Sequence, residues 1–268
     1  MSNFMKKFEP KPKVRKIWKV ADMPTGPPGP LGAKPPPPFV VEKLTPCDFI
    51  VAIDVETHEK VPRERVPWSR DQFGLQSKTT AQTLSTLRVI QLGWAAGAST
   101  EDMVVKEMLV RPESFMVSQG ATGIHGITHA TAESDGLPLG EALRSMVTDV
   151  LGHCSRGARL VSHNLPFDAG LIYHELGRAG LGHLQNDWSE AVRCGICTMD
   201  PDVGNWARSL IGMEEIPRSC PVGLDVLVGG LVPNAQALLR NHHKAGSDAI
   251  MHLALCRELV SICVAARA

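Results

Sequence analysis

At 268 residues, with 43% apolar and 21% charged side chains, the chain has the make-up of a globular protein of one ordinary domain or two small ones. With a formal net charge of zero, no long basic face announces duplex binding, and a small site with few phosphate contacts stays open. Seven cysteines, an odd number whose closest pair is a lone Cys194-x-x-Cys197, argue for reduced thiols and against a disulfide framework or a zinc site.

No apolar run reaches membrane-spanning length and the first residues lack a signal-peptide core, so the expected location is intracellular, with no membrane contact. Residues 1 to 45 stand apart. Ten of the twenty prolines fall in the first 40 residues, beside the basic stretch "KKFEPKPKVRKIWK". Such a segment buries too little apolar surface to fold alone and is expected to be an extended or disordered tail. A weak nucleic-acid arm or a polyproline ligand for a protein partner are its other uses. The folded domain is expected over residues 46 to 268.

Phe49 to Ile53 reads as a buried strand, and "DVET" follows it directly. Residues two apart on a strand share a face, so Asp54 and Glu56 stand side by side at its carboxyl end. Alone, the pair fits either a strand end entering a polar turn or two hard oxygen ligands for a divalent cation. Residues 58 to 86 then form an irregular insertion, with five Lys/Arg against three Asp/Glu plus Trp68 and Phe73. That mixture suits contact with a single strand through phosphates and stacking, and equally a variable surface excursion.

Next, "LRVIQLGWAA" (87–96) and "MVVKEMLV" (103–110) read as an antiparallel strand pair. Residues 137–154 have helical apolar spacing. "ARLVSH" (158–163) is a short strand, 167–180 a helix ending at a glycine, and 191–199 a fifth strand. Helical segments follow near 200–211 and 223–230, with a long final helix over 246–267. Strands first, then alternating helix and strand, point to an α/β protein with a mixed five-stranded sheet flanked by helices.

Asp168 falls in the first turn of one helix and Asp248 in the first turn of the last. Each alone is an ordinary acid at a helix N-terminus. Beside Asp54 and Glu56 they mean more, because a strand end and helix starts can converge at one edge of an α/β sheet.

Three motifs together resemble the DEDDh 3′–5′ exonuclease family of the ribonuclease H-like superfamily, whose relatives include the proofreading exonuclease subunit of bacterial DNA polymerase. Asp54, Glu56 and Thr57 match its Asp-x-Glu-Thr, and His163, Asn164, Phe167 and Asp168 match its His-Asn-x-x-Phe-Asp. His243 and Asp248 match its His-x4-Asp. "VIQLG" (89–93) and "GIHGIT" (123–128) resemble its second strand and the loop before its first helix. The resemblance runs from about Asp48 to Ala265 and departs from the family only in the length of the 58–86 insertion.

The resemblance implies a ribonuclease H-like fold and a two-metal 3′–5′ exonuclease that hydrolyses single-stranded ends to nucleoside 5′-monophosphates. Asp54, Glu56, Asp168 and Asp248 would hold two Mg²⁺ or Mn²⁺ ions, and His243 would be the general base. The family's four-residue gap selects His243 over the neighbouring His242. His163 takes a structural hydrogen-bonding role, while Thr57, Asn164, Phe167 and His125 are the implied substrate contacts. No sequence feature reports which side chain meets the sugar 2′ position, so DNA and RNA both stand as partners. A non-catalytic nucleic-acid-binding or scaffold module on the same fold is the competing reading, and it has no need of His243.

Overall fold

A computed structural model describes residues 35–45, 47–61, 66–215 and 222–267. The chain begins with α1 (Pro38–Leu44) and β1 (Ile50–Thr57), followed by the short strands β2 (Ser69–Arg70) and β3 (Gln76–Ser77) and helix α2 (Ala81–Thr86). Then come β4 (Val89–Gly97), β5 (Val104–Leu109), α3 (Gln119–His125), α4 (His129–Asp135) and α5 (Leu139–Cys154). The second half holds β6 (Arg159–Ser162), α6 (Leu165–Arg178), α7 (Gln185–Arg193), β7 (Ile196–Cys197) and α8 (Pro201–Leu210). Helices α9 (Leu224–Leu231), α10 (Gln236–Leu239) and α11 (Ala245–Ala265) close it.

The main sheet runs β5-β4-β1-β6-β7. β1 pairs antiparallel with β4 and parallel with β6, so the sheet is mixed, with five strands as the sequence pattern requires. Both faces are covered, which is why β4 is buried along its whole length and reads as a continuous apolar run. The alternation along β1 sorts its residues between two cores. Ile50 and Ala52 join the apolar cluster under α8, α9 and α11, whereas Val51, Ile53 and Val55 join the one under α5, α6 and α7. Continued by two and four residues, the first row places Asp54 and Glu56 on the α11 side.

Three expectations need correction. First, the tail does not extend to residue 45: Pro38–Leu44 is a helix, and Val40 and Leu44 are fully buried against α8 and α11. Proline at the first helical position lacks only an N–H that has no partner there, so the proline run can lead directly into a helix. Residues 1–34, and any partner they bind, lie outside the described residues. Leu44→Ala is expected to cost about 3 kcal/mol, the scale of a buried leucine deletion, read from the urea midpoint. A change within the error of that midpoint would mean that α1 does not hold the core.

Second, the 58–86 insertion is not structureless. β2 and β3 form a hairpin whose turn is closed by the Asp71 carboxylate, which accepts from Phe73 N and Leu75 N at 2.9 Å each. Buried Phe73 packs edge-on against Tyr173 of α6, and Leu84 of α2 enters the same core. Residues 62–65 lie outside the described residues.

Third, the strand expected over 191–199 is only Ile196–Cys197, and the residues before it are helical. In α7, Trp188 and Val192 are fully buried and one turn apart, while the rest of that helix is polar apart from Ala191. Too few apolar residues mark the helical period there for the sequence to reveal it.

Candidate active site

Asp168 sits in the first turn of α6. Its entry residue, Asn164, adopts a left-handed backbone (φ 92°, ψ 45°), a conformation asparagine tolerates better than most residues. The Asp168 carboxylate accepts a hydrogen bond from Val55 N at 3.3 Å and a short one from the Ser162 hydroxyl. These bonds fasten it to the ends of β1 and β6.

Asp248 lies in the first turn of α11. Both of its oxygens are 3.2 Å from the backbone N–H of His243, and Oδ1 also takes His242 Nδ1 at 3.0 Å. His243 itself has φ 70°, which turns the chain sharply into the helix. Its ring is exposed and stacks on that of His242 with centroids 3.7 Å apart.

Asp54, Glu56 and Asp248 each offer an oxygen, and these atoms lie within 4.8 Å of one another. Asp168 is outside that tight group but near enough for its charge to act on both Asp54 and Glu56. Among the described residues, no lysine or arginine forms an ion pair with any of the four acids. The consequence is electrostatic. Burial first, then the charges of Asp168, Asp248 and Glu56, raise the Asp54 pKa well above the carboxylate range. Glu56 is pushed up to about 8 by burial and by Asp248, Asp168 and Glu107. Asp168 rises to about 7 through burial, with the Ser162 and Val55 hydrogen bonds opposing the shift.

Oxygen donors so crowded, so poorly compensated and still partly open to solvent fit one or more hard divalent cations. The same carboxylates left without a cation would carry a large repulsion.

Two further histidines flank the acids. His252 follows Asp248 by one helical turn, donates from Nδ1 to the Ile53 carbonyl at 2.8 Å, and brings Nε2 to 3.8 Å from Asp54. Burial holds its pKa down to about 4, so it is neutral at pH 7. His163 Nε2 donates to the Val222 carbonyl at 2.9 Å, and Nδ1 takes the Thr198 hydroxyl at 2.8 Å; burial lowers its pKa to about 3. Both ring nitrogens of His163 are thereby occupied by the protein.

The remaining expected contacts are placed unevenly. The Thr57 hydroxyl donates to the Glu59 carbonyl at 2.7 Å and is committed within the chain. Phe167 is half-buried and packs against the α5–α7 core. His125 is buried, with Nδ1 accepting from Ile127 N at 3.0 Å, while its enclosed Nε2 has no hydrogen-bond partner. His243 lies close enough to lower the His125 pKa, after burial.

Several site-building residues were not singled out in the sequence. Ser162 holds Asp168, His252 backs Asp54, and Gln91 and Glu107 reach α11 from the neighbouring strands. His252 alone left a local signal, its four-residue spacing from Asp248.

No family model matches the chain, and no curated protein matches it in sequence. Solved structures do resemble it. The zinc-bound complex of Escherichia coli exonuclease I with single-stranded DNA aligns at a TM-score of 0.56 and 15% identity, over 80% of this chain and 41% of that one. E. coli exonuclease I with a dA16 oligonucleotide aligns at 0.56 and 14% identity, over 82% of this chain and 42% of that one. The chain thus spans about two fifths of the length of exonuclease I. The likeness establishes the fold alone: the chain shares the α/β architecture of these exonuclease I structures, here a mixed five-stranded sheet flanked by helices.

Proposed function

We propose that this chain is a metal-dependent 3′–5′ exonuclease acting on single-stranded nucleic-acid ends and releasing nucleoside 5′-monophosphates. The observation that carries this reading is the convergence of Asp54, Glu56 and Asp248 within 4.8 Å, with the charge of Asp168 acting on Asp54 and, among the described residues, no lysine or arginine paired with the set. A binding module has no use for four clustered acids, which repel the phosphates of its ligand. Exonuclease I, whose fold the chain shares, is seen with single-stranded DNA and with zinc, and that supports the substrate class.

Asp54, Glu56, Asp168 and Asp248 would hold two Mg²⁺ or Mn²⁺ ions, which when bound supply charge neutralisation and a water of lowered pKa. The protein's own groups do the rest. The His243 ring is open to solvent on one side and partly desolvated on the other; that partial burial, followed by the His242 charge, lowers its pKa below the ordinary 6.5, so the neutral form predominates at pH 7 and can accept the proton of the attacking water. The water oxygen bonds to phosphorus, the bond to the 3′ oxygen of the preceding nucleotide breaks, and that oxygen takes up a proton. His242 is tied to Asp248 through Nδ1, and although burial works against its charge, the Asp248 bond raises its pKa. It serves to orient that acid. Asn164, four residues before Asp168, is the proposed contact of the terminal nucleotide, with His125 and the Thr57 backbone bordering it, whereas the Thr57 hydroxyl and the Phe167 ring are engaged within the protein.

The test is a labelled single strand incubated with Mn²⁺, with and without chelator, as DNA and as RNA of one sequence. Metal-dependent release of mononucleotides from the 3′ end is expected; intact strands under all conditions would leave the scaffold reading. His243→Ala should lower kcat by about 10²–10⁴-fold, the range for losing a general base, with little effect on oligomer binding measured in Ca²⁺. His242→Ala should cost less. The reverse order would move the base to His242.

A further inference from the structure

The 21-residue helix α11 carries Asp248 in its first turn, yet its entry residue cannot cap it. Lys244 has no acceptor, and no side chain of the usual kind receives the first N–H groups. The first two of those donors are satisfied from the sheet instead. Gln91 Oε1, on β4, accepts from Ala245 N at 3.0 Å. Glu107 Oε2, on β5, accepts from Gly246 N at 2.9 Å. Gln91 is buried and sits directly across the ladder from Glu56, and Glu107 sits across from Gly93, which in turn faces Asp54. At Gly93 the helix backbone comes so close that a Cβ would lie 2.1 Å from the Ala245 carbonyl carbon.

Two side chains from adjacent strands therefore grip consecutive N–H groups of the helix, and the bare glycine between them sets its height above the sheet. Asp248 follows Gly246 by two residues, so the position of its carboxylate relative to Asp54 and Glu56 is fixed by this grip. A negative side chain at a helix N-terminus is also favoured by the helix dipole. We infer that Gln91 and Glu107 are positioning residues for the acid cluster, acting through the first turn of α11 and touching neither substrate nor the reacting atoms. The inference rests on the exonuclease reading for its catalytic readout, though its structural content does not.

Carboxylates that share a cation tolerate little misplacement, and an error of about 1 Å can cost about 10²-fold in rate. Gln91→Met keeps the volume and loses the acceptor; Glu107→Ala loses the acceptor and Glu107→Gln retains it. For hydrolysis of a single-stranded oligomer in Mn²⁺, Gln91→Met should lower kcat by about 10²-fold and Glu107→Ala by about tenfold, with little change in KM. Glu107→Gln should restore the wild-type kcat. In parallel, Mn²⁺ titrated into the metal-free proteins should bind more weakly to the first two variants, and the amides of Ala245 and Gly246 should exchange faster. Unchanged kcat and Mn²⁺ affinity in Gln91→Met and Glu107→Ala would overturn the inference. So would a Glu107→Gln variant as impaired as Glu107→Ala, because charge and not an acceptor would then be required. If the wild type hydrolyses nothing, Mn²⁺ affinity and amide exchange still decide the positioning role. That outcome separates its failure from that of the exonuclease reading.

Discussion

Asp54→Asn is expected to abolish hydrolysis and, in the absence of metal, to make the protein more stable. Both effects come from one cause. The Asp54 carboxyl stands between Asp168, Asp248 and Glu56, and burial removes the water that would otherwise screen it. An amide keeps the shape and is neutral without taking up a proton, so the cost of protonating or charging this buried group disappears. On the proposed function the same carboxylate would draw a divalent cation, and without it turnover should fall by about 10³-fold or more, as when a group that stabilises transition-state charge is lost. Adding Mn²⁺ should raise the melting temperature of the wild type through binding to the folded state, and raise that of the variant far less. Normal turnover in Asp54→Asn would remove Asp54 from the metal site.

The pH dependence of the metal-free protein follows from the same acids. Glu56 titrates at about 8 in the folded chain against an ordinary 4.5, and Asp168 at about 7 against 3.8. Groups with raised folded-state values bind protons more tightly when folded. Their contribution is complete below the unfolded values and disappears as pH climbs through the folded ones. Stability without metal should therefore decline between about pH 4 and pH 8, and the stabilisation by Mg²⁺ or Mn²⁺ should widen over the same window. Melting curves in chelator and in Mg²⁺ across this range would show it; a flat difference between them would mean that the acids are already compensated.

What the sequence disclosed and what it hid divide by range. β1 declared itself through an apolar run followed by two acids, and its period of two already placed Asp54 and Glu56 on one face. The starts of α6 and α11 were visible because an acid in a first turn is a local signal. Helix α1 was hidden by its own prolines, since composition speaks for disorder while Pro38 at a first helical position does not oppose a helix. The grip of Gln91 and Glu107 on α11 joins residues 154 and 139 positions apart, and no spacing rule reaches that far. His242 shows the limit from the other side. The motif's four-residue gap selects His243, whereas the ring bonded to Asp248 belongs to His242.

Gly93→Ala should be among the most damaging single changes outside the acids themselves. A Cβ at Gly93 would lie 2.1 Å from Ala245 C, 2.3 Å from Ala245 O and 2.3 Å from Gly246 N. All three are backbone atoms of a long helix packed on the sheet, so no rotamer change relieves the contact. The helix must lift or β4 must bend, at a cost of about 3 kcal/mol or more, the upper end for overpacking a core. Gly170→Ala is the matching control. Its Cβ would meet Leu84 Cδ1 at 2.6 Å, the far end of a side chain on α2 that can rotate away. It should cost about 1 kcal/mol and leave the acid cluster undisturbed. Measured together, the two variants separate crowding in general from crowding under Asp248. Gly93→Ala should lose metal affinity as well as stability, whereas Gly170→Ala should lose only stability. Equal metal affinity in both would mean that the height of α11 above Gly93 does not set the position of Asp248.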